Sequence, residues 1–233
     1  MIALILNSGL GHRMGDITKS HPKCMTEIYK NETILSRQLK LLYKSGIKKV
    51  VMTTGYFDNV LIDYCKSLNI PIDITFIKNP LYAETNYIYS IYCAKAELDD
   101  DIILMHGDLV FEESVLKDII GSAKSCMKVS STIPLPDKDF KAVVKEGRVY
   151  KVGIEFFDSA MEAQALYKLN KKDWKVWLKE IVLFCESGNR KVYAENAFNQ
   201  ISDKCEIYAF DVKDRLCTEI DTPEDLAKVK EML

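Results

Sequence analysis

Apolar residues recur along this chain in two alternating patterns. Short runs rich in Ile, Val, Leu and Met have the length of buried strands: Ile2-Ala3-Leu4-Ile5-Leu6, Lys49 to Thr54, Ile72 to Ile77, Asp101 to Met105 and Lys128 to Ile133. Between them lie stretches whose apolar positions fall three and four apart. Thr33 to Lys44 carries Ile34, Leu35, Leu39, Leu41 and Leu42 at helical spacing, with Gly46 as its stop. Phe57 to Leu68, Tyr87 to Leu98 (opened by Thr85-Asn86) and Glu112 to Ala123 read as helices in the same way. This alternation predicts an α/β fold, Rossmann-like, with a mostly parallel sheet and helices on both faces, because successive parallel strands need a crossover long enough to hold a helix.

The pattern changes past residue 133. Ala142-Val143-Val144, the turn Glu146-Gly147 and Val149 to Val152 predict a hairpin. Two helices are expected at Ser159 to Tyr167 and Lys171 to Glu186, the second burying Trp174, Trp177, Leu178, Ile181 and Phe184. Glu206 to Val212 is extended. Thr222-Pro223-Glu224-Asp225 opens a terminal helix, with proline and acids in its first turn. No repeat, low-complexity tract or linker interrupts the chain. The expectation is one domain over residues 1–233, its second half (134–233) holding a small inserted lid or substrate subdomain.

The chemistry begins where the first strand ends. Leu6 runs into Asn7-Ser8-Gly9-Leu10-Gly11-His12-Arg13-Met14-Gly15-Asp16 and then His21-Pro22-Lys23-Cys24-Met25. A buried strand opening into a glycine-rich loop presents unobstructed backbone N–H groups to phosphate oxygens. Arg13 and Lys23 add two cations, so the loop reads as a nucleoside triphosphate site. A dinucleotide-binding loop is excluded, because Met14 stands where its pattern needs glycine and the strand ending at Gly55 carries no acid. A P-loop motif is absent. Candidate nucleotide contacts are Leu6, Ser8, Gly9, Gly11, Gly55 and Asp108, in a nucleotide-binding half spanning residues 1–133.

Two acids complete the candidate site. Asp108 follows Gly107 at the end of an apolar strand, and Glu219-Ile220-Asp221 sets two acids on one face of an extended segment. Ligands of parallel sheets sit at strand carboxyl ends, so Asp108 and Asp221 are the candidate Mg2+ ligands. With no nucleophile–base constellation in view, this set of groups points to direct in-line attack on the α-phosphorus of a nucleotide. In that reaction Arg13 and Lys23 neutralise charge. The acceptor is then an anion: Lys141, in Pro136-Asp137-Lys138-Asp139-Phe140-Lys141, is expected to hold its phosphate or phosphonate. Glu195, within Tyr193-Ala194-Glu195-Asn196, is expected to meet a cationic tail.

Composition narrows the classes. A formal net charge of -2 argues against a nucleic-acid or basic membrane-surface partner. No apolar run reaches the ~20 residues of a membrane span. Seven cysteines without a C-x-x-C pair fit reduced thiols in a cytoplasmic enzyme better than disulfides or zinc. The oligomeric state stays open to a homodimer.

The G-x-G-x-R-[ML] loop followed by P-K resembles the signature of sugar-nucleotide-type nucleotidyltransferases, and the likeness runs over most of the chain. Tyr82-Ala83-Glu84-Thr85-Asn86-Tyr87-Ile88-Tyr89-Ser90 is similar to a segment of phosphocholine cytidylyltransferases, and Glu219-Ile220-Asp221 to their closing acidic motif. Thr85 to Tyr92, His106 to Phe111, Lys138 to Ala142 and Tyr193 to Asn196 more closely resemble the cytidylyltransferases that activate 2-aminoethylphosphonate. The resemblance implies a nucleotidyltransferase fold and a Mg2+-dependent transfer of CMP from CTP to a small phosphonate. It implies that Arg13 and Lys23 act on the triphosphate, Asp108 and Asp221 bind the metal, and Asn86 recognises the pyrimidine. The alternatives are a phosphocholine cytidylyltransferase and a catalytically inactive nucleotide-binding regulatory subunit. Two departures stand out: Asn7-Ser8 replaces the two alanines usual in the opening loop, and Met25 stands where related enzymes often have a small or aliphatic residue.

Overall fold

The computed structural model describes residues 1–233. Strand β1 (Ile2–Leu6) runs into a long loop with two 3-10 turns, His12–Thr18 and Lys23–Met25, and a small hairpin of β2 (Glu27–Tyr29) and β3 (Glu32–Thr33). Then come α1 (Ile34–Lys44), β4 (Lys49–Thr54), α2 (Asp58–Ser67), β5 (Asp73–Lys78), α3 (Tyr87–Ala94), β6 (Ile102–His106), β7 (Leu109–Phe111), α4 (Glu113–Ile120) and β8 (Cys126–Ser130). The remainder is β9 (Lys141–Lys145), β10 (Arg148–Gly153), β11 (Ala160–Leu169), α5 (Lys171–Glu186), α6 (Ala194–Ile201), β12 (Ile207–Asp211), β13 (Cys217–Glu219) and α7 (Pro223–Met232).

Nine strands form one mixed sheet in the order β5-β4-β1-β6-β11-β8-β12-β10-β9. The first four are parallel. β11 runs antiparallel to both β6 and β8 and also pairs with β9, so the far end of the sheet closes on itself. Alternation along the strands feeds two cores. Ala3 and Ile5 of β1 and Ile103 and Met105 of β6 join the apolar faces of α1, α2 and α4. Leu4, Leu6, Ile102 and Leu104 join α3, α5 and α6, where Trp174 and Trp177 are fully buried. Each such Leu or Ile contributes about 1.5–3 kcal/mol on burial. The indole N–H groups of Trp174 and Trp177 donate to the Leu98 and Ala194 carbonyls at 2.9 and 3.0 Å.

Local signals start the helices. Thr33 Oγ1 accepts from the Ser36 N–H while Ser36 Oγ accepts from the Thr33 N–H, and Thr222 and Asp225 repeat this reciprocal cap on α7. No helix is long and apolar enough to cross a membrane, and all seven cysteines are unbridged.

One expected element is wrong in kind. Ser159 to Tyr167, expected as a helix, lies almost wholly in β11, a central strand. Its Ala, Met, Glu, Gln and Leu residues favour helix, but tertiary pairing on both sides overrides propensity. The segment alternates with a period of two. Ala163, Ala165, Tyr167 and Leu169 enter one core, while Glu162, Gln164 and Lys168 lie on the opposite side of the strand. There Glu162 takes an ion pair from Lys128, and Gln164 Nε2 donates to Glu162 Oε1 at 3.0 Å. Helix α6 was not anticipated at all.

Candidate active site

Because β1 and β6 are parallel neighbours, their carboxyl ends set Leu6-Asn7 beside His106-Gly107-Asp108, and the Gly107 N–H donates to the Leu6 carbonyl at 3.0 Å. The loop after β1 then encloses a cavity of about 330 Å³. Among its lining residues are Gly9, Gly11, Arg13, Lys23, Asp108 and Asp221. Asp221 arrives from the far end of the chain, where β13 pairs with β7 and the Ile220 N–H bonds the Asp108 carbonyl at 3.0 Å.

The charges converge on one atom. Lys23 Nζ pairs with Asp108 Oδ2 and with Asp221 Oδ1, the latter at 2.6 Å, and Arg13 reaches the same Asp221 oxygen at 2.9 Å. Burial alone would lower the Lys23 pKa, but the two carboxylates outweigh it and hold the ammonium above its ordinary value. Asp108 mirrors this: burial would raise it, yet Lys23 and His106 hold it below the usual carboxylate range. Its second oxygen, Oδ1, is buried with no partner. Two carboxylates aimed at one point, one with an unfilled lone-pair site, fit a hard divalent cation such as Mg2+ in place of the ammonium. His106, Asp108 and Glu219 also bring one ligand atom each within 4.8 Å of one another. That set includes an imidazole already bonded to Glu219 at 2.8 Å, which suits an oxygen-seeking ion less well.

Two further cavities adjoin. One, about 170 Å³, is lined by Leu6, Ser8, Gly9, Tyr82, Thr85, Asn86, Tyr87, His106 and Asp108. Asn86, one of these residues, also caps α3. The other, about 440 Å³, has Lys138, Asp139, Phe140, Tyr193, His106 and Glu219 in its wall, together with Arg13, Asp108 and Asp221. Asp108 therefore lines all three cavities.

Gly55 acts from behind. It lines none of these cavities, but a Cβ there would lie 2.4 Å from the Ser8 carbonyl oxygen, so its bareness lets the end of β4 pack under the glycine loop. Gly55→Ala is expected to destabilise the fold by about 1–3 kcal/mol and weaken nucleotide binding. An unchanged melting temperature would show that the loop shifts freely.

Both acceptor expectations need correction. Lys141 is fully buried and does not line the 440 Å³ cavity. Its ammonium donates to the Pro136 and Asp139 carbonyls at 2.5 and 3.2 Å and lies 4.2 Å from the Phe157 ring centre. It braces the loop from which Lys138 and Asp139 line the cavity. Glu195 is also buried, accepting from the Tyr87 and Tyr167 hydroxyls, and is absent from the cavity wall. The acids that do line it are Asp139 and Glu219, besides Asp108 and Asp221. Burial and the Asp221 charge push Asp139 upward, and burial beside Asp108 raises Glu219. His106 was missed as a site residue. Burial would lower it, but Glu219 and Asp108 push it up to about 9. Its place at the strand end, two residues before Asp108, was the available signal.

A mixed sheet whose strand ends carry a cationic glycine loop facing two convergent acids defines a nucleotide-handling α/β enzyme. The model of the MobA-like NTP transferase domain matches residues 3–142, from β1 into β9, and the chain belongs to this family of nucleotidyltransferases. It is 27% identical over 216 residues to CTP:phosphoglutamine cytidylyltransferase of Campylobacter jejuni, covering 84% of this chain and 82% of that one. It is 30% identical over 133 residues to CMP-5'-(3-aminopropyl)phosphonate synthase of Streptomyces rubellomurinus, covering 57% of this chain and 21% of that one. The solved structure of CTP:phosphocholine cytidylyltransferase from Streptococcus pneumoniae superposes with a TM-score of 0.80 at 19% identity, covering 99% of this chain and 98% of that one.

Proposed function

We propose that this chain is a CTP-dependent cytidylyltransferase that transfers CMP to a small amine-bearing phosphonate, with 2-aminoethylphosphonate as the acceptor, and releases pyrophosphate. The observation that carries this reading is the position of Asp108 at the meeting point of three cavities. A nucleotidyl transfer needs this layout, because the α-phosphorus must be reached at once from the triphosphate, the nucleoside and the acceptor. The three relatives described above all carry CTP or CMP in their names, and each name also contains a nitrogen-bearing phosphorus compound, which supports cytosine and an aminated acceptor.

In this reading the loop amides, Arg13 and Lys23 hold the triphosphate, and Asn86 faces the pyrimidine in the 170 Å³ cavity. Lys138 draws the acceptor's phosphonate, and Asp139 and Glu219 accept hydrogen bonds from its ammonium. A phosphonate oxygen forms the new bond to the α-phosphorus as the bond to the bridging oxygen of the β-phosphate breaks. Pyrophosphate departs with that electron pair, its charge met by Arg13 and Lys23. Mg2+ held by Asp108 and Asp221 would supply further neutralisation of the phosphate oxygens.

A phosphocholine acceptor is the second reading, favoured by the aromatic wall in which Tyr193 lies 5.8 Å from Tyr87 and 5.1 Å from Phe140 between ring centres. Pyrophosphate release from each of four nucleoside triphosphates separates the readings. Each is paired with 2-aminoethylphosphonate, phosphocholine, phosphoglutamine and a sugar 1-phosphate. CTP with 2-aminoethylphosphonate is expected to be fastest, since trimethylation removes every N–H that Asp139 and Glu219 could accept from. Faster turnover of phosphocholine would move the assignment to the aromatic wall. No turnover with any pair, despite CTP binding, would favour a regulatory subunit.

A further inference from the structure

The two polar residues that open the loop have different fates. Ser8 is accounted for: its hydroxyl meets Ser90 Oγ at 2.6 Å, and Ser90 accepts from Asn79 Nδ2 at 3.0 Å. Asn7 is not. Its backbone N–H is fixed by the carbonyl and hydroxyl oxygens of Thr53, both at 3.2 Å, which ties the residue to the end of β4. Its side-chain amide nitrogen, however, is buried and makes no hydrogen bond within the protein.

The residue is only 9% exposed, yet it lines the 330 Å³ cavity together with Gly9, Gly11, Arg13, Lys23 and Asp108. Room for it comes from Gly107, where a Cβ would fall 1.6 Å from Asn7 Oδ1. Thus a bare backbone at residue 107 houses an amide that has no acceptor. A buried donor left unpaired is destabilising, and few such groups occur in a folded protein. Here the unpaired donor belongs to a residue in the wall of a cavity that also holds the glycine loop, the Arg13 guanidinium and the Lys23 ammonium, with the carboxylates of Asp108 and Asp221 tied to those two cations.

We propose that Asn7 is a nucleotide-binding residue whose side-chain amide donates a hydrogen bond to a phosphate oxygen of the bound triphosphate. The proposal rests on the nucleotide reading given above. It assigns to a neutral, directional donor a share of the work otherwise left to Arg13 and Lys23. Gly107 then has a function of its own, keeping the space that the amide occupies.

The test is calorimetric titration of the full-length chain with CTP and Mg2+ in the absence of acceptor, alongside thermal melting without nucleotide. Asn7→Ala is expected to weaken CTP binding roughly tenfold to a hundredfold, the range of a hydrogen bond to a charged group. Its melting temperature should hold or rise, because an unpaired donor has been removed. Asn7→Asp should weaken binding further by placing a carboxylate against the triphosphate. Gly107→Ala, whose methyl group must displace Asn7, should weaken binding in the wild-type background and add little in Asn7→Ala. Undiminished CTP affinity in Asn7→Ala, or a fall in melting temperature with affinity unchanged, would assign the amide to structure and overturn the proposal. Wild-type protein that binds none of the four nucleoside triphosphates would overturn the nucleotide reading and this proposal together.

Discussion

Asp221→Ala and Asp108→Ala are each expected to lower turnover by about three orders of magnitude or more while leaving the fold intact. Both carboxylates converge on Lys23, and in the proposed reaction each would hold a divalent ion there. Removing either one halves the protein donors available for the ion. It also releases Lys23 to pair fully with the acid that remains, a wrong arrangement for holding a triphosphate. Stability suffers little, since the surviving carboxylate still neutralises the ammonium. Pyrophosphate release at several Mg2+ concentrations, together with a melting curve, measures both quantities. Activity within tenfold of wild type at limiting Mg2+ would take that acid out of the metal site.

Lys23→Ala is the second large effect, and it carries two signatures. Turnover should fall by about two to three orders of magnitude with a smaller change in the CTP KM, because a cation beside a phosphorus whose charge grows in the transition state contributes most there. The nucleotide-free protein should also lose about 1–3 kcal/mol of stability, since Asp108 and Asp221 lose the ammonium they share, leaving Arg13 on Asp221 and His106 near Asp108. Mg2+ should then raise the melting temperature of Lys23→Ala more than that of the wild type, because the ammonium no longer competes for the same oxygens. A variant whose only change is a higher CTP KM would make Lys23 a ground-state anchor. A melting temperature indifferent to Mg2+ would remove the competition.

Much of this site was legible residue by residue. The strand Ile2–Leu6 and the loop after it carry their chemistry in one stretch of sequence, so Gly9, Gly11, Arg13 and Lys23 fall together in one cavity. Asp108 and Asp221 were equally visible, because each follows a short extended segment and strand ends are where such sheets bind ligands. The lining of the 440 Å³ cavity was illegible for a definite reason. Lys141 and Lys138 lie three residues apart in one charged loop, and only the fold decides which one lines the cavity and which turns inward to bond backbone carbonyls. Glu195 looked available beside Tyr193, but the turn into α6 buries it between two tyrosine hydroxyls.

The sequence by itself determined what is local: strand and helix periods over the first half, the caps at Thr33 and Thr222, and the glycine loop with its two cations. These follow from backbone sterics and short-range hydrogen bonds, which act between residues close in the chain. What only the tertiary structure decided is what depends on distant partners. β11 is a strand because β6 and β8 flank it, although its residues favour helix. The Lys23 ammonium is held above its usual pKa by Asp108 and by Asp221, and the latter, 198 residues away, is brought to it by the pairing of β13 with β7. The Asn7 side chain, whose amide nitrogen has no partner, occupies room left by Gly107, just past the end of the neighbouring strand β6. Pairing and burial of this kind have no counterpart in local periodicity, since they are set by which segments meet in space.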